Sequence, residues 1–374
     1  MLALSITVEI EVRLNDRPFR QRGDKMFDAE IWFWTPLVAA VASLVVAIIT
    51  HLSGRSNQKA IEELRDRYAE NKAERDARRD YQYEARKRLY HELGPIVFQL
   101  AELSEAAFYR ITGLAQTARQ GNLEPGRHSF LRDEYYRIST LYRLLAPPAA
   151  LKLMQRRLTL VDLSLDYAMH RQYTLARQAF FAFGDEFTFA RLGPRSLDYR
   201  PFDEKAEAKV RTAPAIYWRQ GLPLGVIEGA IEALLTPDQG SQPRVMTYAE
   251  CEAEYNKQGT RVREAFDGIA FLIQDFHPRT RPVFWRMLVT QACLYRILFQ
   301  PHELERSDWG VADLCVPAAD RTRFDWRTEG DGSLDEATVL EPLAVAEQYL
   351  RERLTPRLKR VTSAENQMAS IRPA

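Results

Sequence analysis

Apolar and polar positions divide this chain into four regimes. From Ile31 to Thr50 every position is apolar or small and none is charged. At about 1.5 Å per residue, such a helix matches the roughly 30 Å hydrocarbon thickness of a bilayer. Trp32 and Trp34 stand at one end, where amphipathic rings favour the headgroup zone, and Pro36 falls in the first turn, where a helix tolerates it. The pattern predicts a transmembrane helix over 31–53, with the lipid bilayer as the first partner. A core helix of a soluble protein is the competing reading.

The second regime, 54–93, is dominated by charged residues, with large apolar ones few and scattered. It lacks proline until Pro95 and consists of strong helix formers, with acids and bases at helical spacing such as Glu63 with Arg67, Glu74 with Arg78 and Glu84 with Arg88. This predicts a solvated helical stalk that Gly94–Pro95 ends or kinks. Ile61, Leu64 and Tyr68 begin a heptad, which Asn71, Arg75 and Arg78 do not continue. A short dimeric coil near the membrane is consistent with that pattern.

The third regime, 94–354, has apolar stripes at three- and four-residue spacing and predicts an all-α body. Helices are expected over 96–118, 129–145 (stopped by Pro147–Pro148), 149–166, 171–192 and 224–235. Thr247–Glu250 and Ser333–Glu336 are capping boxes, the first opening a helix towards Phe276 and the second one towards Leu354. Residues 281–300 are apolar nearly all round and predict the central core helix. The proline-bearing segment 193–223 reads as a surface connector or a seam between sub-domains. The fourth regime, 355–374, is basic and poor in apolar residues, which predicts a disordered tail.

Residues 1–30 form an amino-terminal tail in this scheme. Met26 stands just before the apolar run and is read as the natural start, with residues 1–25 as upstream sequence or a mobile extension. That choice sets the topology. Counted from Met1, Arg13, Arg17, Arg20, Arg22 and Lys25 balance Arg55, Lys59, Arg65, Arg67 and Lys72, and the positive-inside rule is undecided. Counted from Met26, only Asp28 and Glu30 precede the span, and the body is expected in the cytoplasm. The expected location is therefore a plasma (inner) membrane, crossed once.

Composition adds little but exclusions. The net charge is +1, from 52 basic and 51 acidic residues, so no global field calls for nucleic acid. Only Cys251, Cys293 and Cys315 occur, too scattered for a disulfide framework or a zinc cluster. The arginine-rich balance of basic residues hints at a bacterial genome. No HExxH, CxxC, Gly-x-Ser-x-Gly or P-loop is present, so no metal, no cofactor and no catalytic residue is predicted.

Two constellations remain. Ala39, Ser43 and Ala47 recur every fourth residue in the span, a spacing that lets two helices approach closely in lipid. They are the candidate self-association face, with chance in an alanine-rich segment as the competing explanation. The other is His277-Pro-Arg-Thr-Arg-Pro-Val-Phe-Trp-Arg286. With Thr280 as N-cap, Arg279, Arg281 and Arg286 crowd a helix amino terminus whose partial charge is already positive. Such an end favours an anion, with Trp285 as a stacking face. The competing reading is an internal ion pair with Asp267 or Asp275. Together these patterns predict a membrane-anchored, non-enzymatic interaction, sensing or effector module that binds a protein partner or a second copy of itself. The alternative is a membrane-tethered enzyme or ligand sensor that takes a phosphorylated small molecule through the cluster around Arg281.

Overall fold

Helix α1 runs from Asp28 to Arg119 without a break, so Gly94–Pro95 neither ends nor interrupts it. The computed structural model describes residues 28–124, 129–159, 162–193, 199, 219–236, 243–300, 318–328 and 334–361. Among these residues the protein is all-α, with a single isolated bridge between Leu235 and Val245. Most of the predicted amino-terminal tail lies outside the described residues.

The chain divides into two units, Met1–Arg79 and Asp80–Ala374. In the first, α1 is the one helix among the described residues long and apolar enough to cross a membrane, and none of its apolar window is buried. Beyond it the stalk is solvated. Its described ion pair is Asp76–Arg79 at 3.4 Å, at i,i+3 spacing and largely exposed, which contributes at most a few tenths of a kcal/mol. The helix there rests on propensity.

The second unit starts earlier than the sequence pattern suggests. Leu89 and Leu93 are fully buried in a small cluster with Met169, supported by Leu158, Leu163 and Leu165. Tyr90 is hydrogen-bonded to Asp166, and Arg157 meets Glu92 at 3.2 Å. Residues 80–93 therefore belong to the body, not to the stalk.

The remaining α-helices among the described residues are α2 (Glu134–Leu158), α3 (Tyr167–Ala182), α4 (Glu186–Arg191), α5 (Leu224–Ala233), α6 (Tyr248–Tyr255), α7 (Arg261–Ile269), α8 (Pro282–Phe299), α9 (Ala318–Arg321) and α10 (Glu336–Arg353). Helix α2 carries Pro147 and Pro148 in its interior, merging two helices expected as separate. An interior proline costs about 3 kcal/mol. Leu144, Leu145, Leu151 and Leu153 are all buried beside them, at roughly 2 kcal/mol each, and their burial offsets the defect. Conversely, the helix expected over 171–192 breaks at Phe183–Asp185 into α3 and α4. The one expected to run to Phe276 breaks before α7, where Gly259 adopts φ +73°.

Helix α8 is the axis of the body, buried continuously from Val283 to Leu298 and packed by α3, α4 and α10. The Thr247 capping box forms with both reciprocal bonds. Ser333 lies outside the described residues, and α10 is instead capped by Asp335, whose carboxylate accepts from Thr338 N at 2.8 Å. The expected disordered tail begins as helix over 355–361, with Leu358 and Val361 buried; 362–374 lie outside the described residues. Most of the expected seam at 193–223 lies outside them as well.

Candidate functional site

The amino end of α8 is built by a tight turn at His277. The His277 carbonyl accepts from Thr280 N at 3.1 Å and Arg281 N at 2.9 Å, and its Nδ1 accepts from Arg279 N at 3.1 Å. The ring is thus held as an acceptor at Nδ1. Burial is the main cause that pushes its pKa down to about 4, with Arg279 adding and Glu124, 3.7 Å from Nε2, opposing.

Helix α8 then begins with Arg281 as N-cap, not Thr280, and Pro282 in its first turn. Its next two orphan N–H groups do not face an anion. Gln220, fully buried, places Oε1 2.9 Å from Val283 N and 3.2 Å from Phe284 N. A neutral amide therefore satisfies the positive end of the helix. Gln220 is itself fixed, its N–H donating to Tyr199 Oη at 2.6 Å while that hydroxyl donates to Glu186 Oε2 at 2.9 Å. Gly221 N donates to the same carboxylate at 2.6 Å. A Cβ on Gly221 would stand 2.8 Å from Glu186 Oε2, so a larger residue there would have to displace the Glu186 side chain. The Tyr199 pKa is driven up, first by burial and then by the charge of Glu186.

The three arginines have separate fates. Arg281 is 8% exposed and donates through Nη2 to the Phe271 carbonyl at 3.0 Å; Nε and Nη1 are buried with no hydrogen-bond partner. Asp275 is taken by Arg132 at 3.0 Å, and Asp267 accepts from Tyr255 at 2.7 Å. Burial lowers the Arg281 pKa, while the charge of Asp275 works the other way. Arg286 is held by Glu341 of α10, with Nε donating to Oε2 at 3.1 Å and Nη2 bonded to Oε1, and its Nη1 donates to the Phe189 carbonyl at 2.8 Å. Arg279 is exposed.

Arg279, Trp285 and Arg286 nevertheless meet on one cleft of about 410 Å³, between the α8 start, Trp326 and the first turns of α10. Arg281 is not among its lining residues. Pro278, Pro282, Leu334, Ala337 and Pro342 complete most of the wall, which is mainly apolar. Gly193 packs beneath the ion pair, where a Cβ would come within 2.7 Å of Arg286 Cζ. The expected helix-end cluster is thus replaced by one buried cation, one paired cation and one rim cation.

A second hollow of about 450 Å³ lies beside Tyr109, Gln116, Arg119, Arg323 and Asp325. Its charges are engaged locally, with Arg323 3.1 Å from Asp320 and Asp325 2.7 Å from Arg327. Among the described residues no three His, Cys, Asp or Glu side chains converge as metal ligands. Cys251 and Cys293 are buried free thiols; burial pushes Cys251 up to about 12, which leaves it unreactive. Cys315 lies outside the described residues. Sequence reasoning missed Gln220 and Glu341, because neither carries a local motif and each acts across more than fifty residues. Matched against family models, curated proteins and solved structures, the chain shows similarity to none.

Proposed function

We propose that this protein is a membrane-anchored, non-enzymatic interaction or sensing module, crossing a plasma membrane once, with its helical body in the cytoplasm and a second copy of itself as a partner. The observation that carries the reading is the unburied apolar window of α1, followed on the same helix by Ile61, Leu64 and Tyr68 at 63%, 65% and 73% exposure. No other large apolar side chain occurs between Gly54 and Asp80.

At about 100° per residue, Ala39, Ser43, Ala47, Gly54, Ile61, Leu64 and Tyr68 fall within an arc of about 100°. Small residues in the span and apolar residues beyond it therefore share one face. The Ser43 hydroxyl donates to the Ala39 carbonyl at 2.8 Å, so the face needs no polar partner. In a common bilayer two copies of that face meet in parallel, through close backbone packing in lipid and heptad packing outside it. In a parallel pair Arg67 and Lys72 confront each other across the seam, which limits the coil to the membrane-proximal turns.

The phosphorylated-ligand alternative finds less support, because Gln220 occupies the α8 amino end and Glu341 neutralises Arg286. Two measurements test the proposal. Reporter fusions after Ala374 are expected to give activity from a cytoplasmic reporter, and an active periplasmic phosphatase there overturns the topology. Ser43→Leu is expected to weaken association in a membrane assay at least tenfold, and unchanged association removes the seam.

A further inference from the structure

The cleft beside α8 has a composition that selects its ligand. Four charged residues line it, two of each sign: Arg279, Arg286, Asp335 and Glu341. Arg286 and Glu341 are both largely buried and consume each other, and the last guanidinium nitrogen of Arg286 is spent on the Phe189 carbonyl. Asp335 caps its own helix through Thr338 N. The lining thus carries no net charge, and Arg286, Glu341 and Asp335 already have partners; the buried indole Nε1 atoms of Trp285 and Trp326, both neutral, have none. A charged ligand group entering there would shed its hydration without an equivalent replacement. Apolar ring surface faces no such penalty against a wall made of Pro278, Pro282, Leu334, Ala337 and Pro342, completed by the nearly buried Trp285 and Trp326. A volume of about 410 Å³ lies in the range of small-molecule sites.

We infer that this cleft is a binding site for a neutral, two- or three-ring apolar small molecule, and that it discriminates against anionic and cationic forms of the same ring. The site goes beyond the anchor and dimer reading. It lies wholly within the unit from Asp80 to Ala374, so ligand binding there stands or falls independently of topology and self-association.

Three naphthalene probes with one ring system test it: 2-naphthol, 2-naphthoate and 2-naphthylmethylamine. Equilibrium dialysis is run at neutral pH with the full chain in a nonionic detergent, against detergent-only blanks that remove micelle partitioning. Wild type is expected to bind 2-naphthol saturably at one site per chain, at least tenfold more tightly than either charged probe. Ala337→Trp adds a ring from an exposed position on the cleft wall and is expected to lose at least tenfold in 2-naphthol affinity with an unchanged melting temperature. Should that variant melt lower, Leu334→Trp fills the cleft from outside the helix and gives the same readout. No saturable binding, tighter binding of 2-naphthoate, or full affinity in both folded cleft-filling variants overturns the inference.

Discussion

The side-chain amide oxygen of Gln220 accepts from Val283 N at 2.9 Å, closing the amino end of α8, buried from Val283 to Leu298, from a segment sixty-three residues away. Phe284 N shares the same oxygen at 3.2 Å. Truncating Gln220 strands two buried donors. Gln220→Ala is expected to cost about 2–4 kcal/mol, at about 1–3 kcal/mol for each stranded group with partial relaxation. Urea unfolding of the body checks it: the midpoint should fall while the slope is unchanged.

The Arg286–Glu341 pair makes an asymmetric prediction. Glu341→Gln leaves a buried guanidinium without its counter-charge, a loss of about 3–5 kcal/mol. Replacing both members, as Arg286→Met with Glu341→Leu, removes the stranded charge along with its partner, although the Phe189 carbonyl loses its donor. The double variant is expected to recover at least half of the single-variant loss. Melting curves of Arg286→Met, Glu341→Leu and the double variant close the cycle, with Glu341→Gln as the isosteric control.

Arg281 should behave in the opposite way. It is buried with one hydrogen bond, and the nearest candidate acid, Asp275, already holds Arg132. Arg281→Met exchanges an under-satisfied charge for an apolar chain of similar length. Its stability is expected to stay within about 1 kcal/mol of wild type or to rise, since only one carbonyl loses a donor. A loss above 3 kcal/mol in chemical denaturation contradicts this account.

Acid should weaken the body through His277. Its folded pKa is lowered to about 4 against about 6.5 unfolded, so between these values the unfolded chain binds the extra proton. Stability from this group is complete above pH 6.5 and is lost as pH falls through that window, by an amount on the order of 3 kcal/mol. His277→Asn keeps an acceptor for Arg279 N but cannot titrate. Comparing the two proteins from pH 7 to pH 4 should show a shallower decline for the variant.

The sequence made α8 legible because residues 283–298 are apolar nearly all round, with Arg286, Thr290, Gln291 and Arg296 as the exceptions, and a helix of that pattern is a buried one. It made Thr247–Glu250 legible because a capping box is complete within four residues. Local signals misled where distant packing outweighed them. Pro147–Pro148 and Pro95 read as stops, yet the leucines buried around them keep both helices continuous. The arginine cluster was legible as a place and illegible as a charge. Arg279, Trp285 and Arg286 share a cleft, but its neutrality depends on Glu341, which no spacing rule links to Arg286.

The body's amino-terminal boundary provides the remaining prediction. The pattern placed it at Gly94, where charge gives way to an apolar stripe, whereas the second unit opens at Asp80. The segment between them carries Leu89 and Leu93, both fully buried against Met169, together with Arg86, whose Nε donates to the Leu165 carbonyl at 3.0 Å. Tyr90 and Glu92 add bonds to Asp166 and Arg157. A fragment starting at Asp80 retains all of these contacts; one starting at Gly94 loses two buried leucines, at about 2 kcal/mol each before the cavity they leave is counted. The longer fragment is expected to be soluble, helical and cooperative in its melt, with the shorter one at least 4 kcal/mol less stable or unfolded. Equal stability of the two fragments would return the boundary to Gly94 and make residues 80–93 stalk after all.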